Sequence, residues 1–182
     1  MKVSSVIAGA SAALVAFQAA LYASHGEADL LRPPGAHGEK DFASRCVKCG
    51  KCMEACPYIA IKPARDDAGA AVGTPMIDAR AQACRLCEDF PCVEACPTNA
   101  LRDIETRSDV KMGVAVIDED LCIAFQGMRC EVCYRTCPLI DEAIVIDYRL
   151  REGDAIHSVF APVIDEDKCV GCGLCVERCV VS

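Results

Sequence analysis

Sixteen cysteines fall into four groups of four, and in each group three residues separate the last two cysteines. Groups 1 and 4 read CxxCxxCxxxC, a spacing in which three cysteines of one loop bind one [4Fe-4S] cluster and the fourth binds another. No cysteine lies outside the groups. The sequence therefore predicts four [4Fe-4S] clusters as cofactors, with these metal ligands: Cys46, Cys49, Cys52 and Cys56 (group 1); Cys84, Cys87, Cys92 and Cys96 (group 2); Cys122, Cys130, Cys133 and Cys137 (group 3); Cys169, Cys172, Cys175 and Cys179 (group 4).

Disulfides and zinc are the competing uses of cysteine. Cysteines two and three residues apart cannot all reach partners at disulfide geometry, because several sulfurs would crowd into one loop. Structural zinc normally takes two well-separated cysteine pairs instead of three successive cysteines and a fourth. Proline follows the fourth cysteine in three groups, at Pro57, Pro97 and Pro138, as in the ferredoxin run CxxCxxCxxxCP. The pattern thus favours clusters, although Val180 replaces the proline in group 4.

The composition limits the functions that the chain can have. Its 182 residues fit one domain or two small ones, and a net charge of -8 argues against a nucleic-acid partner. The same charge predicts a basic face on the docking protein. No GxGxxG or phosphate-binding loop is present, and complete ligation by cysteine leaves no open iron position for a substrate. These features predict single-electron transfer with no catalytic residues.

The amino-terminal residues 1–24 are predicted to be a membrane anchor or a signal segment. Residues 3–23 carry no charge and would span about 31 Å as a helix, close to the thickness of a hydrocarbon core. We favour a retained anchor over a cleaved signal peptide, because no good small-residue cleavage site follows. Residues 25–40, with Arg32, Pro33, Pro34 and Gly35 at the centre, are predicted to be a stiff, helix-free linker. The four-cluster ferredoxin-type domain is predicted at 41–182.

Three of the groups are preceded by a similar apolar phrase that ends in acidic residues. The phrases occupy 74–78, 114–120 and 162–167, and each reads as a short strand leading through a polar turn into the ligand loop. Residues 143–148 supply a further strand after group 3. The acidic turns 118–120 and 165–167 are predicted to be solvated. The fold class expected is α+β, with two ferredoxin-like two-cluster modules preceded by a single hydrophobic helix.

Several sequence motifs between residues 31 and 181 resemble those of the NapG/MauM ferredoxin-type family. The most specific feature is group 3, in which seven residues separate Cys122 from Cys130. The resemblance rests on LRPPGA (31–36), GTP (73–75), CEDFPC (87–92), CPTNAL (96–101), MGVAV (112–116) and FQGMRCEVCYRTCP (125–138). It implies that all sixteen cysteines bind clusters and that the chain is the electron-transfer subunit of a membrane-associated quinol dehydrogenase.

The resemblance also implies partners and a location. A polytopic membrane subunit would oxidise quinol, and a c-type cytochrome or a periplasmic reductase would accept the electrons from this subunit of the hetero-oligomer. Family members typically begin with a twin-arginine signal and carry a carboxy-terminal extension, whereas here only Lys2 precedes the apolar segment and the sequence stops at Ser182, soon after group 4. The positive charge of Lys2 favours a cytoplasmic amino terminus and a periplasmic cluster domain, with the cytoplasmic side as the alternative.

Two pairings of the groups are open. In the sequential pairing, the first three cysteines of group 1 share a cluster with the fourth cysteine of group 2, and the first three of group 2 with the fourth of group 1. Groups 3 and 4 exchange their fourth cysteines in the same way. In the nested pairing, group 1 exchanges with group 4 and group 2 with group 3, as in the iron-sulfur subunits of molybdopterin oxidoreductases. The link from Cys96 to Cys122, expected to be rich in strand, favours the nested form.

Two other functions compete with the relay. The chain could be the iron-sulfur subunit of a molybdopterin oxidoreductase complex, which a large catalytic partner would reveal. A zinc-stabilised scaffold is the second alternative, and zinc in place of iron would reveal it.

Overall fold

The computed structural model describes residues 30–150, 153, 156 and 158–181, which form two modules joined by a shared core. The predicted anchor at 1–24 lies outside the described residues. Among the residues that are described, no helix has the length and apolar character needed to cross a bilayer.

The first module holds groups 1 and 2. Its helices are α1 (Glu39–Arg45), α2 (Lys51–Ala55) and α3 (Pro91–Glu94), and its strands are β1 (Ile61–Pro63) and β2 (Pro75–Ile77). The two strands pair antiparallel, with Ile61 opposite Ile77. Short 3₁₀ helices at Asp66–Ala71 and Arg107–Asp109 complete this part of the chain. The predicted strand at 74–78 is confirmed by β2.

The second module holds groups 3 and 4. It comprises α4 (Val132–Thr136), β3 (Ile144–Leu150), β4 (Ser158–Ile164) and α5 (Leu174–Arg178). The strands pair antiparallel, with Ile144 opposite Ile164. The predicted strand at 143–148 is confirmed by β3, whereas β4 covers only the beginning of the predicted phrase at 162–167. The two modules agree with the expected two-cluster architecture of the fold class.

The four helices α2 to α5 are short because each is bounded by a cysteine group. Each contains the third cysteine of its group, and α2, α4 and α5 end at the fourth, where the backbone turns to an extended conformation. Gly50 and Gly173 precede α2 and α5 with φ of 80° and 82°, a conformation that favours glycine. The helices therefore serve to place cysteines and bury few side chains.

The segment before Asp41 packs into the first module instead of linking to it. Arg32 is buried, with its guanidinium 4.7 Å from the centroid of the Phe42 ring and hydrogen bonded to Thr74 Oγ1 at 2.7 Å. It also pairs with Glu39, and α1 begins at that residue. The helix-free linker predicted at 25–40 is therefore wrong for its last part, because a buried guanidinium attaches residues 31–40 to β2.

The apolar phrase at 114–120 forms no strand, so that prediction is wrong. Residues 112–115 run beside group 4, where the Met112 N–H donates to the Val170 carbonyl at 3.1 Å and the Ala115 N–H to Cys169 Sγ at 3.5 Å. Backbone groups that a strand would offer to a neighbouring strand are thus directed at a cysteine loop. The strand-rich link between groups 2 and 3 does not exist.

The modules are joined by side chains and backbone of the group 2 and group 4 loops. Glu177 on α5 accepts hydrogen bonds from the Ala83 N–H and from Arg85, both at 2.7 Å. The Ala83 hydrogen bond, aided by Arg85, holds the pKa of Glu177 below its ordinary value. Val170 and Leu174 of the second module lie in the same buried core as Leu86 of the first. The two modules therefore share one hydrophobic core.

Gly171 lies at the closest approach of this junction. A Cβ there would be 2.4 Å from the Gly113 nitrogen and 2.5 Å from the Gly113 oxygen, and φ is +69°. No side chain fits without moving the backbone of residue 113 away from group 4.

We predict that Gly171→Ala lowers the free energy of unfolding by several kcal/mol, because backbone strain of about 1–3 kcal/mol is added to the clash with Gly113. Gly153→Ala is the matched control, since Gly153 has φ of +76° but nothing within 4 Å of the added Cβ. Anaerobic urea unfolding of the cluster-loaded chains, followed by visible absorbance, measures the difference. Equal midpoints for the two variants would contradict the tight junction.

Candidate metal centres

The first spatial set of cysteines combines three residues of group 1 with the last of group 2. Cys46, Cys49, Cys52 and Cys96 line one cavity of about 340 Å³ that is partly open to solvent, and we name them quartet A. Cys46 follows α1, Cys52 lies in α2, and Cys96 follows α3. Residues far apart in sequence thus face one another.

Quartet B is the reciprocal set. Cys56 of group 1 joins Cys84, Cys87 and Cys92 of group 2 around a second cavity of about 350 Å³. The Leu86 N–H donates to Cys84 Sγ at 3.4 Å. A sulfur that accepts a backbone hydrogen bond is better able to carry negative charge, as a cluster ligand must.

Quartet C repeats this exchange in the second module. Cys137 of group 3 joins Cys169, Cys172 and Cys175 of group 4 around a cavity of about 340 Å³. The Ala115 N–H donation to Cys169 Sγ supplies the backbone hydrogen bond here.

Quartet D is formed by Cys122, Cys130, Cys133 and Cys179. Cys122, Cys133 and Cys179 line a larger cavity of about 690 Å³. Burial and then the neighbouring cysteines Cys175, Cys130 and Cys122 raise the pKa of the Cys133 thiol, which places Cys130 beside it. The seven residues between Cys122 and Cys130 form a turn in which Ala124 is buried. The wide gap in group 3 therefore holds a small packed loop.

The structure brings all sixteen predicted ligand residues into four sets, and the sets follow the sequential pairing. The nested pairing, which the sequence favoured, is wrong for this geometry. Its basis was the strand expected between Cys96 and Cys122, and that segment instead lies along the group 4 loop. Group 2 therefore has no sheet that would hold it against group 3.

Burial and crowding make the central thiols hard to ionise. Desolvation, followed by the neighbouring cysteines Cys46, Cys96 and Cys49, raises the pKa of Cys52 to about 11. Desolvation and then Cys84, Cys56, Cys52 and Cys87 raise the pKa of Cys92 to about 12. Burial also raises the pKa to about 11 at Cys84, Cys133, Cys172 and Cys175. Thiolates at these positions need a strong positive charge in the cavity, which is what iron supplies.

Cys96 differs from the other cysteines of its quartet. Desolvation raises its pKa, but hydrogen bonds from the backbone of Leu101, Thr98 and Ala100 outweigh that effect and lower it overall. The Thr98 hydroxyl lies 3.9 Å from the Cys96 sulfur. The turn after Pro97 therefore stabilises a thiolate, and CPTNAL could have been recognised as such a turn from its proline and asparagine.

The quartets fit a cluster that is bound entirely by cysteine. Quartets A, B and C each present four thiols from two separate loops to one cavity that is largely lined by apolar groups. Quartets B and C also show backbone N–H donors directed at sulfur. Across the part of the chain that the structure describes, no group of three or more His, Cys, Asp or Glu side chains is arranged to hold a single metal ion.

The four quartets are contiguous in the order A, B, C, D. Cys52 of A and Cys56 of B are both near Cys92, and their thiolates contribute to its raised pKa. The Cys84 N–H of B donates to the Cys172 carbonyl of C at 3.0 Å. Cys175 of C and Cys133 of D line the same cavity. The order was not predictable from spacing, because it depends on the junction formed by Glu177 and Gly171.

Comparison with known proteins agrees with this geometry. Residues 45–100 and 126–182 each match the family model described as a 4Fe-4S dicluster domain. The first match contains groups 1 and 2, and the second contains group 4 with the last three cysteines of group 3, so the chain has two dicluster domains and four [4Fe-4S] clusters.

Several curated proteins are similar to most of the chain. The ferredoxin-type protein NapG of Escherichia coli is 45% identical over 154 residues, which cover 84% of this chain and 67% of that protein. The methylamine utilization ferredoxin-type protein MauM of Methylorubrum extorquens is 42% identical over 162 residues, with 88% and 72% covered. MauM of Methylobacillus flagellatus is 45% identical over 159 residues, with 85% and 66% covered.

Proposed function

Because this chain belongs to the NapG and MauM family of ferredoxin-type proteins and is an iron-sulfur electron-transfer protein, we propose that it relays single electrons between two partners of a membrane complex. The donor is a polytopic subunit that oxidises quinol, and the acceptor is a periplasmic c-type cytochrome or reductase. The observation that carries the proposal is the contiguous row of quartets A to D.

We assign one [4Fe-4S] cluster to each quartet, with all sixteen cysteines as ligands. When bound, the clusters supply one-electron oxidation and reduction. The chain's own residues fix the order of the centres: α2 joins A to B, the Cys84 to Cys172 hydrogen bond joins B to C, and the neighbouring Cys133 and Cys175 join C to D. The absence of an open ligand position in this assignment supports a carrier without catalytic residues.

Membrane attachment and a periplasmic location belong to the same proposal. The uncharged residues 3–23 support attachment, and the positive charge of Lys2 supports placing the clusters outside the cytoplasm. The net negative charge of the chain supports docking to a partner whose surface is positively charged.

We predict that paired cysteine variants reveal which residues share a cluster. Cys49 and Cys96 both belong to quartet A, so C49A/C96A should lose one cluster and keep three. Cys49 and Cys179 belong to A and D, so C49A/C179A should lose two. Iron and acid-labile sulfide per chain, with EPR spin counts after reduction, measure the loss. Loss of two clusters in C49A/C96A and of one in C49A/C179A would support the nested pairing. Zinc without sulfide would contradict the assignment of clusters altogether.

The relay itself is tested on membranes that contain the native complex. Quinol releases two electrons and two protons on oxidation to quinone, so added duroquinol should bleach the visible absorbance of this chain as its clusters take up electrons. We expect bleaching when the chain co-purifies anaerobically with a polytopic partner, and none with the isolated chain. Co-purification with a large molybdopterin-binding chain, or no reduction by quinol, would contradict the proposed donor.

A further inference from the structure

The two ends of the row of quartets are its most exposed parts. Of the sixteen cysteines, all of which the structure describes, only Cys49 and Cys179 are classed as exposed. Cys49 belongs to quartet A and Cys179 to quartet D. Quartets B and C, in the middle, have only buried or half-buried cysteines. Electron exchange with other proteins is thus most accessible at A and D, because transfer is favoured where a centre approaches the surface.

The surface around Cys49 is basic, although the chain as a whole is acidic. Arg45, Lys48 and Lys51 are all exposed, and residues 42–53 contain no aspartate or glutamate. Over the whole sequence, 27 acidic residues outnumber 19 lysines and arginines. We call Arg45, Val47, Lys48, Cys49 and Lys51 the basic face.

The charges of the basic face are not neutralised within the protein. In residues 30–150 and the described part of 153–181, none of Arg45, Lys48 and Lys51 forms an ion pair with a carboxylate. The Lys48 ammonium donates to the Val72 carbonyl at 2.6 Å, which fixes one positive charge beside the loop. Val47, which lines the quartet A cavity, is 63% exposed and provides an apolar contact between the charges.

An acidic turn lies beside the opposite end of the row. Asp118, Glu119 and Asp120 are exposed, and only Leu121 separates them from Cys122 of quartet D. The Asp118 carboxylate accepts the N–H groups of Asp120 at 3.0 Å and Leu121 at 3.2 Å, so the acidic turn has a defined conformation. A partner with a basic surface is attracted to this acidic turn and repelled by the basic face.

We propose that the basic face is the docking surface for an acidic electron-transfer protein that exchanges electrons at quartet A. The inference rests on the proposed relay and adds the class of partner at one end. An acidic partner is repelled by most of this chain, so the basic face orients it with Cys49 at the contact. The exposed Cys49 favours a redox protein over a membrane surface, because a lipid headgroup neither donates nor accepts an electron.

Anaerobically prepared chain with its four clusters is the sample for the test, and flavodoxin, an acidic one-electron carrier, is the probe. Each Lys→Glu or Arg→Glu replacement changes the charge by two units. R45E/K48E/K51E should weaken flavodoxin binding about tenfold at low ionic strength, with the difference shrinking as salt is added. The control R135E/R149E/K168E changes the same number of exposed charges in the second module, which holds quartets C and D, and should weaken binding by less than about twofold. Surface plasmon resonance measures both.

The milder R45Q/K48Q/K51Q variant, with cluster content checked by EPR, covers the case in which charge reversal disturbs assembly. Its flavodoxin binding should fall between wild type and the reversed variant. Binding of basic mitochondrial cytochrome c should not fall in either variant, because the basic face repels that probe.

Equal weakening by the control triple, or no flavodoxin binding to the wild-type protein, would overturn the docking inference. Phosphatidylglycerol vesicles provide the other arm: if R45E/K48E/K51E loses vesicle binding while flavodoxin binding is unchanged, the face contacts a membrane and the inference is wrong. Clusters that are reduced by quinol in the native complex would leave the relay intact in either case. If quinol cannot reduce the clusters, the proposed relay is contradicted, whereas the binding result for the basic face still stands.

Discussion

The exchange of a fourth cysteine between neighbouring groups is the constraint on which the structure depends. Cys56 leaves its own group to join quartet B, and Cys96 leaves its group to join quartet A. Each cluster therefore ties together two loops that are distant in sequence. The regular elements are too small to do this, since β1 and β2 have three residues each and α3 has four. Small folds of this kind depend on metal ligation for much of their folding free energy.

The thiols show the same dependence electrostatically. Six buried or half-buried cysteines are crowded enough for the pKa to reach about 11 or 12, so as free thiols they stay neutral and carry no ligand charge. Burial disfavours thiolates, and neighbouring thiolates repel one another; the positive charge of iron offsets both effects. Cluster insertion and closure of the loops are therefore one event, and the apo chain should be largely unfolded.

The junction between the modules converts two separate dicluster units into a row. Glu177, Arg85 and the backbone of Ala83 hold α5 against the group 2 loop, and Gly171 admits the backbone of Gly113. As a result, quartets B and C meet through the Cys84 to Cys172 hydrogen bond, and the exposed cysteines are left at the ends.

The sequence predicted the local features well, because cysteine spacing and the strand at 143–148 depend on neighbouring residues. It could not predict the pairing of groups, since this depends on contacts such as Met112 with Val170 that span dozens of residues. The segment 114–120 has the apolar residues of a strand, but its Ala115 N–H donates to Cys169 of the group 4 loop instead of to a neighbouring strand. Arg32 was placed in a linker because proline neighbours suggested one, whereas its burial depends on Phe42 and Thr74.

Iron anomalous diffraction from crystals of the anaerobically purified protein tests the central claim most directly. The account predicts four separate iron peaks in a row, each surrounded by the cysteines of one quartet, with Cys96 beside Cys46, Cys49 and Cys52. A peak that joins Cys96 to group 3, or zinc in place of iron, would contradict it.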